Sequence, residues 1–221
     1  NRFGIKSGRA EILFVDYINE HLKPKGRAGI IVPEGIIFQS NNAYKQVRKT
    51  LIDKSLIGVI SFPPGIFNPY SGVKTSLLIL DRDKNKKEEN IFFGIIDSDG
   101  FSLTSSRKKN NDNDLDKIFF KFKNFYDGKK VTENKKISKI NKKDILKNTN
   151  ISFLLNEYRK DKTSKTENNY TSLEKLIEES KIRHNGEKRN IWSVSNKEGF
   201  VNPEKIFSYQ IASDDIKNYK K

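Results

Sequence analysis

Apolar residues recur at helical spacing across residues 7–23, where Ile12, Leu13, Val15, Tyr17, Ile18 and Leu22 cluster on one side of a predicted helix. Ser7 is its predicted N-cap, and Lys23-Pro24-Lys25-Gly26 is a stop signal. Arg27 to Val32 is then apolar without alternation, the pattern of a strand covered on both faces. A second helix is predicted over 41–54 with Asn41 or Asn42 as cap, followed by strands over Leu56 to Phe62 and Lys74 to Leu80. The segment between those two strands is too short for a crossover helix, so they should pair antiparallel. Asp81 to Glu89 reads as a polar connection, and Asn90 to Asp97 as one more strand.

Helix, strand, helix, strand, strand is the order of the C-terminal half of a doubly wound α/β domain with an antiparallel last strand. Three strands do not make such a domain unaided, so the first half of the sheet is expected elsewhere. Residues 98–117 are Ser, Lys, Asn and Asp with few apolar anchors, which reads as a loop or linker. Ile118 to Phe125 fits strand or helix. Helical spacing returns at 141–158 and 171–183, with polar 159–169 between, and residues after Lys188 suggest short strands and turns. The expected organisation is an α/β half-domain over 1–97, a basic, partly helical connector over 98–169, and a small β-rich region over 170–221.

Composition narrows the chemistry. The 221 residues include no Cys, which removes disulfides, thiol catalysis and Cys-ligated zinc. His21 and His184 are the two histidines, so a two-histidine zinc helix is excluded and no metal is expected. No apolar run approaches the roughly 18 residues of a membrane span, and the opening is no signal peptide; the expectation is a cytoplasmic chain without a membrane partner. Mean hydropathy is -0.73, polar for a packed domain, yet 15 Phe and 8 Tyr can still build a core. The chain holds no Met and opens Asn1-Arg2-Phe3. A piece of a longer reading frame is expected, with processing or a modified methionine as alternatives.

The net charge is +15. Up to residue 83 there are 12 basic and 7 acidic residues, and beyond it 31 and 21, so most of the excess lies in the later part. Lys108-Lys109, Lys129-Lys130, Lys135-Lys136 and Lys142-Lys143 carry much of it. Two readings stand side by side: a biased, solvated surface, or affinity for nucleic acid that would fall steeply with salt.

Two loops hold the candidate chemistry. After the first strand, Pro33-Glu34-Gly35 would place a carboxylate and backbone at the carboxyl end of a strand, where open α/β sheets bind ligands; a tight turn with a solvent-facing Glu34 is the plainer reading. After the second, Phe62-Pro63-Pro64-Gly65-Ile66-Phe67-Asn68-Pro69-Tyr70-Ser71-Gly72-Val73-Lys74-Thr75 combines a rigid Pro-Pro, two aromatics, a mobile Gly and a Lys-Thr pair. Phe67 or Tyr70 could stack an extruded base while Lys74 or Thr75 holds a phosphate; equally, the aromatics could plug the end of the sheet.

Three segments carry a resemblance. Lys6-Ser7-Gly8-Arg9-Ala10-Glu11-Ile12-Leu13-Phe14, Gly26-Arg27-Ala28-Gly29-Ile30-Ile31-Val32-Pro33-Glu34-Gly35 and Phe67-Asn68-Pro69-Tyr70-Ser71-Gly72-Val73-Lys74-Thr75-Ser76 resemble the methyltransferase subunit of type I restriction-modification systems. The match covers roughly residues 4–96. It implies transfer of a methyl group from S-adenosylmethionine to the N6 of a flipped adenine in double-stranded DNA, with Pro33, Glu34, Phe67, Tyr70, Lys74 and Thr75 on the target-base side. The Gly-rich cofactor turn and the catalytic Asn-Pro-Pro-Tyr/Phe motif of that family have no counterpart here. Phe62-Pro63-Pro64-Gly65 and Asn68-Pro69-Tyr70 echo the latter, but two strands too late. The cofactor site is therefore expected to be largely missing, no catalytic residue is assigned, and the chain alone is expected to be inactive. A non-enzymatic DNA-binding or subunit-docking fragment is the alternative.

A second resemblance starts near Tyr170. Thr171-Ser172-Leu173-Glu174-Lys175-Leu176-Ile177, Ile191 to Val201 and Ile211 to Tyr219 look like the opening of a target-recognition domain of the specificity subunit, with a generic β-rich tail as the plainer reading. The partners so implied are the missing N-terminal half of the methyltransferase and the specificity and restriction subunits.

Overall fold

The structure is a computed structural model that describes residues 4–159 and the backbone of 193–195 and 199–201. Helix α1 (Ala10–His21) forms where the apolar spacing places it, burying Ile12 and Val15. Its cap position is Arg9, without a capping side chain, and Ser7 lies outside, its hydroxyl accepting from the Arg9 amide at 3.0 Å. Strand β1 (Arg27–Pro33) leads into a short helix α2 (Glu34–Phe38), and α3 (Asn42–Lys54) follows with Asn41 at the cap position but no side-chain cap bond. Strands β2 (Leu56–Ser61) and β3 (Thr75–Asp81) pair antiparallel, as the short connection requires. The stretch expected as a polar connection contains helix α4 (Arg82–Lys87), because the Asp81 side chain accepts from the Lys84 amide at 2.8 Å and caps it.

Strand β4 (Asn90–Ile95) lies parallel to β2. The stretch expected as a connector then folds onto the same unit. Strands β5 (Asp99–Phe101) and β6 (Lys109–Asn113) make an antiparallel ribbon, and α5 (Leu115–Tyr126) settles the strand-or-helix alternative in favour of helix. Strand β7 (Ile137–Asn141) joins the main sheet beside β4, and α6 (Lys142–Lys147) and a 3-10 turn (Leu155–Tyr158) complete residues up to 159. The main sheet has the order β1-β3-β2-β4-β7. One compact unit comprises residues 1–162 and a second residues 163–221, so the fold does not divide at 97. The reason is hydrophobic: Ile118, Phe125, Val131, Ile137, Ile145 and Phe153, all beyond 97, are buried against the sheet. In the second unit, β8 (Ser193–Ser195) and β9 (Gly199–Val201) form an antiparallel pair, as the residues after Lys188 suggest. The helix expected at 171–183 and the segment 211–219 lie outside the described residues.

Two apolar clusters sandwich the sheet. On one face α1, α2 and α3 cover Val32, Leu78, Leu80, Val59 and Phe93. On the other, α5 brings Ile118, Phe122 and Phe125 over Ile60 and Phe92, with the Phe92 and Phe122 rings edge-to-face at 5.4 Å. The second face is covered unevenly. Strand β1 was expected to be buried on both sides, but Gly29 and Ile31 point to an open side while Ala28, Ile30 and Val32 face the core. Beside α5 this leaves an apolar groove of about 720 Å³, floored by Gly29, Leu77 and Ile79 and walled by Leu115 and Phe119.

The segment after α6 is stitched back by one side chain. Arg48 of α3 is fully buried and donates Nε to the Ile151 carbonyl (2.8 Å), Nη1 to Ile36 (2.9 Å), and Nη2 to Gln39 (2.6 Å) and Asn150 (2.7 Å). Burial pulls its guanidinium down to about 10, still charged at neutral pH. Among the described residues no carboxylate hydrogen-bonds to it; four carbonyls take its donors and fix the end of α2, and the nearby Glu157 favours its charge.

Candidate functional site

Strands β1, β2 and β4 all end on one side of the sheet, because β1 and β2 run antiparallel to β3 and β4 runs parallel to β2. Loops at that side are where open α/β sheets carry ligands. Pro33 sits opposite Thr75, so the start of α2 and the entry to β3 meet although distant in sequence. Lys74 Nζ lies 2.8 Å from Glu34 Oε1. Glu34 is thus neither a solvent-facing turn residue nor a bare carboxylate; its side chain is 20% exposed and opens α2. The pair is open enough that its own stabilising effect is small, about 0–1 kcal/mol. What it does is hold the Lys74 ammonium, expected to hold a phosphate, against a carboxylate. Glu34 Oε2 and Thr75 Oγ1 are buried without a hydrogen-bond partner among the described residues. An acceptor and a hydroxyl left unsatisfied in neighbouring positions are uncommon in folded proteins.

The loop between β2 and β3 sorts its apolar residues sharply. Phe62 is buried and Ile66 packs against the same cluster, so these two close the end of the sheet. Phe67 is 40% exposed and Tyr70 is 94% exposed. The plug reading therefore fits Phe62 and Ile66, not the two aromatics expected to stack. The loop is held by backbone bonds from Tyr70 and Ser71 to the Phe67 carbonyl (2.9 and 3.1 Å) and from Asn68 to Gly65 (3.0 Å). Gly65 adopts φ +84°, and a Cβ there would stand 2.9 Å from the Leu103 carbonyl, so only glycine fits. The Asn68 side chain donates to that same carbonyl at 2.7 Å.

Leu103 belongs to the tip of the β5–β6 ribbon, which sequence reading left as linker. The ribbon thus stands against the candidate loop. A signal for it was present in the flanking Gly100 and the Ser-Ser-Arg turn residues, but without an apolar alternation to mark the strands.

The profile of the N-6 DNA methylase family matches residues 4–162. The chain belongs to this family. The span agrees with the first compact unit and runs well past residue 97. Among curated family members, the methylase subunit of the type I restriction enzyme EcoEI from Escherichia coli is 35% identical over 77 residues, covering 34% of this chain and 16% of that protein. A solved structure from work on complex assembly and conformational transition of the type I restriction-modification system aligns over 79% of this chain and 36% of its own, at 25% identity and a TM-score of 0.55. The type I methyltransferase subunit from Streptococcus thermophilus aligns over 69% and 31% at 24% identity with a TM-score of 0.51, which shows the shared fold. The chain thus spans about a sixth of the length of the first of these family members and about a third of the two solved chains.

Proposed function

We propose that this chain supplies the target-base side of an adenine-N6 DNA methyltransferase, acting within a type I restriction-modification enzyme. The observation that carries the reading is family membership over residues 4–162 combined with exposed Phe67 and Tyr70 in the loop that leads into β3, where Thr75 pairs with Pro33 next to Glu34. A flipped adenine offers a π-face for one of the aromatics and, on its edge, amino donors and ring-nitrogen acceptors that suit a carboxylate oxygen and a hydroxyl. Pro33 sets the start of α2 and so the direction of Glu34. Lys74 holds Glu34 in place, and its exposed side remains within reach of a phosphate.

S-adenosylmethionine is the methyl donor that the family implies. The described residues do not fit it: the loops after β1, β2 and β4 carry no Gly-rich strand-to-helix turn, and the groove beside α5 is mainly apolar, with Arg27, Asp81, Lys123 and Asp127 as the charged part of its lining. The groove suits instead an apolar helix from the portion of the methyltransferase that family members carry beyond this stretch, since doubly wound sheets are covered on both faces. The remaining proposed partners are double-stranded DNA and the specificity and restriction subunits. The reading of 170–221 as the opening of a target-recognition domain rests on its sequence motifs. No helix among the described residues is long and apolar enough to cross a membrane, and a cytoplasmic site of action follows from the proposed enzyme.

The test is transfer of labelled methyl groups from S-adenosylmethionine to adenine-containing duplexes. The chain alone is expected to give none, because both reactants must be held in line. Adding a polypeptide with the remainder of the methyltransferase domain is expected to give transfer, which Phe119→Asp in the groove wall abolishes. Transfer by the chain alone would overturn the divided-site reading; no transfer from the combination would overturn the methyltransferase reading.

A second expectation concerns Tyr70 and Phe67 in that combined protein. Tyr70→Ala or Phe67→Ala should weaken binding to a duplex with an extruded adenine by about 1–3 kcal/mol. At Tyr70, so exposed a position, stability should move by less than about 0.5 kcal/mol. Melting temperature and base-extrusion fluorescence measured together decide it: lost stability without lost flipped-base binding would make these residues packing elements.

A further inference from the structure

The β5–β6 ribbon is built more firmly than a linker needs. At its base the Asp114 amide donates to the Ser98 carbonyl (2.8 Å), the Asp97 amide donates to the Asp114 carboxylate (3.1 Å), and Lys136 bridges Asp97 and Asp114 at 2.9 Å each. The hydrogen bonds to Asp114 and Asp97 hold the Lys136 ammonium well above its ordinary range, so this anchor stays charged at any physiological pH. At the tip, Ser102 N–H donates to the Lys108 carbonyl (2.7 Å) and Arg107 N–H to Thr104 (3.1 Å). Arg107 is consumed internally, paired with Asp99, donating to the Ser102 carbonyl at 3.2 Å and lying over the Phe101 ring.

Apart from the exposed Asp112 carboxylate and the partly exposed Phe101 ring, what the ribbon leaves outward is donor chemistry. Lys108, Lys109, Asn110 and Asn111 are exposed, as are Thr104, Ser105 and Ser106 at the tip. Among the described residues no carboxylate lies within ion-pair distance of Lys108 or Lys109. The ribbon follows β4, so it leaves the sheet at the same side as the Pro33-Glu34 turn and the Phe67–Tyr70 loop, and Asn68 binds its tip directly. Ammonium, hydroxyl and amide donors on a rigid arm suit phosphate oxygens, and the exposed ring of Phe101 already carries the Arg107 guanidinium over it.

We propose that the β5–β6 ribbon is a clamp on the sugar-phosphate backbone of duplex DNA beside the target base, with Lys108 and Lys109 each neutralising a phosphate. This rests on the reading of the chain as the target-base side of a DNA methyltransferase. It adds a register device: Asn68 and Gly65 lock the arm to the stacking loop, so gripping the backbone sets where the aromatics meet the bases.

The test is binding of the 221-residue chain to two duplexes of unrelated sequence, followed by fluorescence anisotropy from low to moderate salt. Each lysine that neutralises a phosphate contributes about 0.9 to the slope of log K against log salt. Lys108→Gln with Lys109→Gln should therefore flatten the slope by about 2 on both duplexes, with an unchanged circular dichroism spectrum. Lys86→Gln with Lys87→Gln, an exposed pair on α4 at the far end of β3, should leave it unchanged. An unaltered slope in the ribbon variant while the unmodified chain binds overturns the clamp alone. Equal flattening by both pairs also overturns it, since binding would then be diffuse. A loss confined to one duplex overturns the phosphate assignment, and no salt-dependent binding by the unmodified chain overturns the clamp together with the DNA reading beneath it.

Discussion

Arg48→Ala is expected to destabilise the first unit by about 4 kcal/mol or more, enough to unfold most of it. The side chain satisfies four backbone carbonyls, those of Ile36, Gln39, Asn150 and Ile151, and is fully buried. Removing it leaves acceptors stranded, and each unsatisfied buried group costs about 1–3 kcal/mol. The total stability of a domain is only about 5–15 kcal/mol, so this one change takes a large share of it. Arg48→Lys should recover little, because an ammonium on a single stem cannot reach carbonyls arrayed around a planar fork. Urea unfolding followed by circular dichroism checks this. A shift under about 1 kcal/mol would mean that water replaces the guanidinium, and that the 148–158 segment is not held by it. If the stitch is as strong as its geometry implies, residual folded Arg48→Lys protein should also show weaker order at α2, where Glu34 begins.

How much of this was legible in the sequence depends on what each residue packs against. Helices α1 and α3 and strands β2, β3 and β4 follow from periodicity because their partners lie close in the chain and each buries a regular face. The antiparallel pairing of β2 and β3 followed from loop length alone. The failures share a cause. Strand β1 reads as doubly buried because Gly29 and Ile31 are apolar, and nothing local reveals that their side of the sheet is open. Helix α5 is ambiguous because Phe119 and Phe120 are exposed while Ile118 and Phe125 are buried and Phe122 is half-buried, so the pattern shows no clean polar face. Strand β7 is short and polar, and its place beside β4 is fixed by a pairing some 45 residues away in the chain.

The candidate site shows the same division. Glu34, Lys74 and Thr75 were legible as candidates from residue type and strand position. That Lys74 closes on Glu34 was not, since it depends on the β1–β3 register. Arg48 was missed although a signal was there: it falls on the same helical face as Tyr44, Val47 and Leu51, where a charged residue must find partners. The ribbon was missed because Lys, Asn, Ser and Asp in a row look like linker whatever they do. Its function, if it grips phosphate, uses those very residues.

A chain ended at Asp97 is expected not to fold, whereas one ended at Lys162 should unfold cooperatively. Residues 1–97 carry the α/β pattern and were expected to be the half-domain of the chain, with a basic connector behind them. Among the described residues the structure places seven buried apolar side chains beyond that point: Ile118, Phe125, Val131, Ile137, Ile145, Phe153 and Leu155. At about 1.5–3 kcal/mol for each buried side chain, their loss amounts to roughly 10–20 kcal/mol, before the β4–β7 ladder is counted. That matches or exceeds the whole stability of an ordinary domain, about 5–15 kcal/mol. The shorter chain would also expose Phe92 and Phe93 and remove two of the four Arg48 acceptors, Asn150 and Ile151. Purifying both chains and heating them under far-ultraviolet circular dichroism separates the cases. If residues 1–97 melt cooperatively at a temperature near that of 1–162, then α5 and β7 are accessories and the boundary belongs at 97. If only the longer chain melts cooperatively, the basic stretch from 98 onward is part of the methylase core, and its lysines sit on a rigid scaffold from which they can grip DNA.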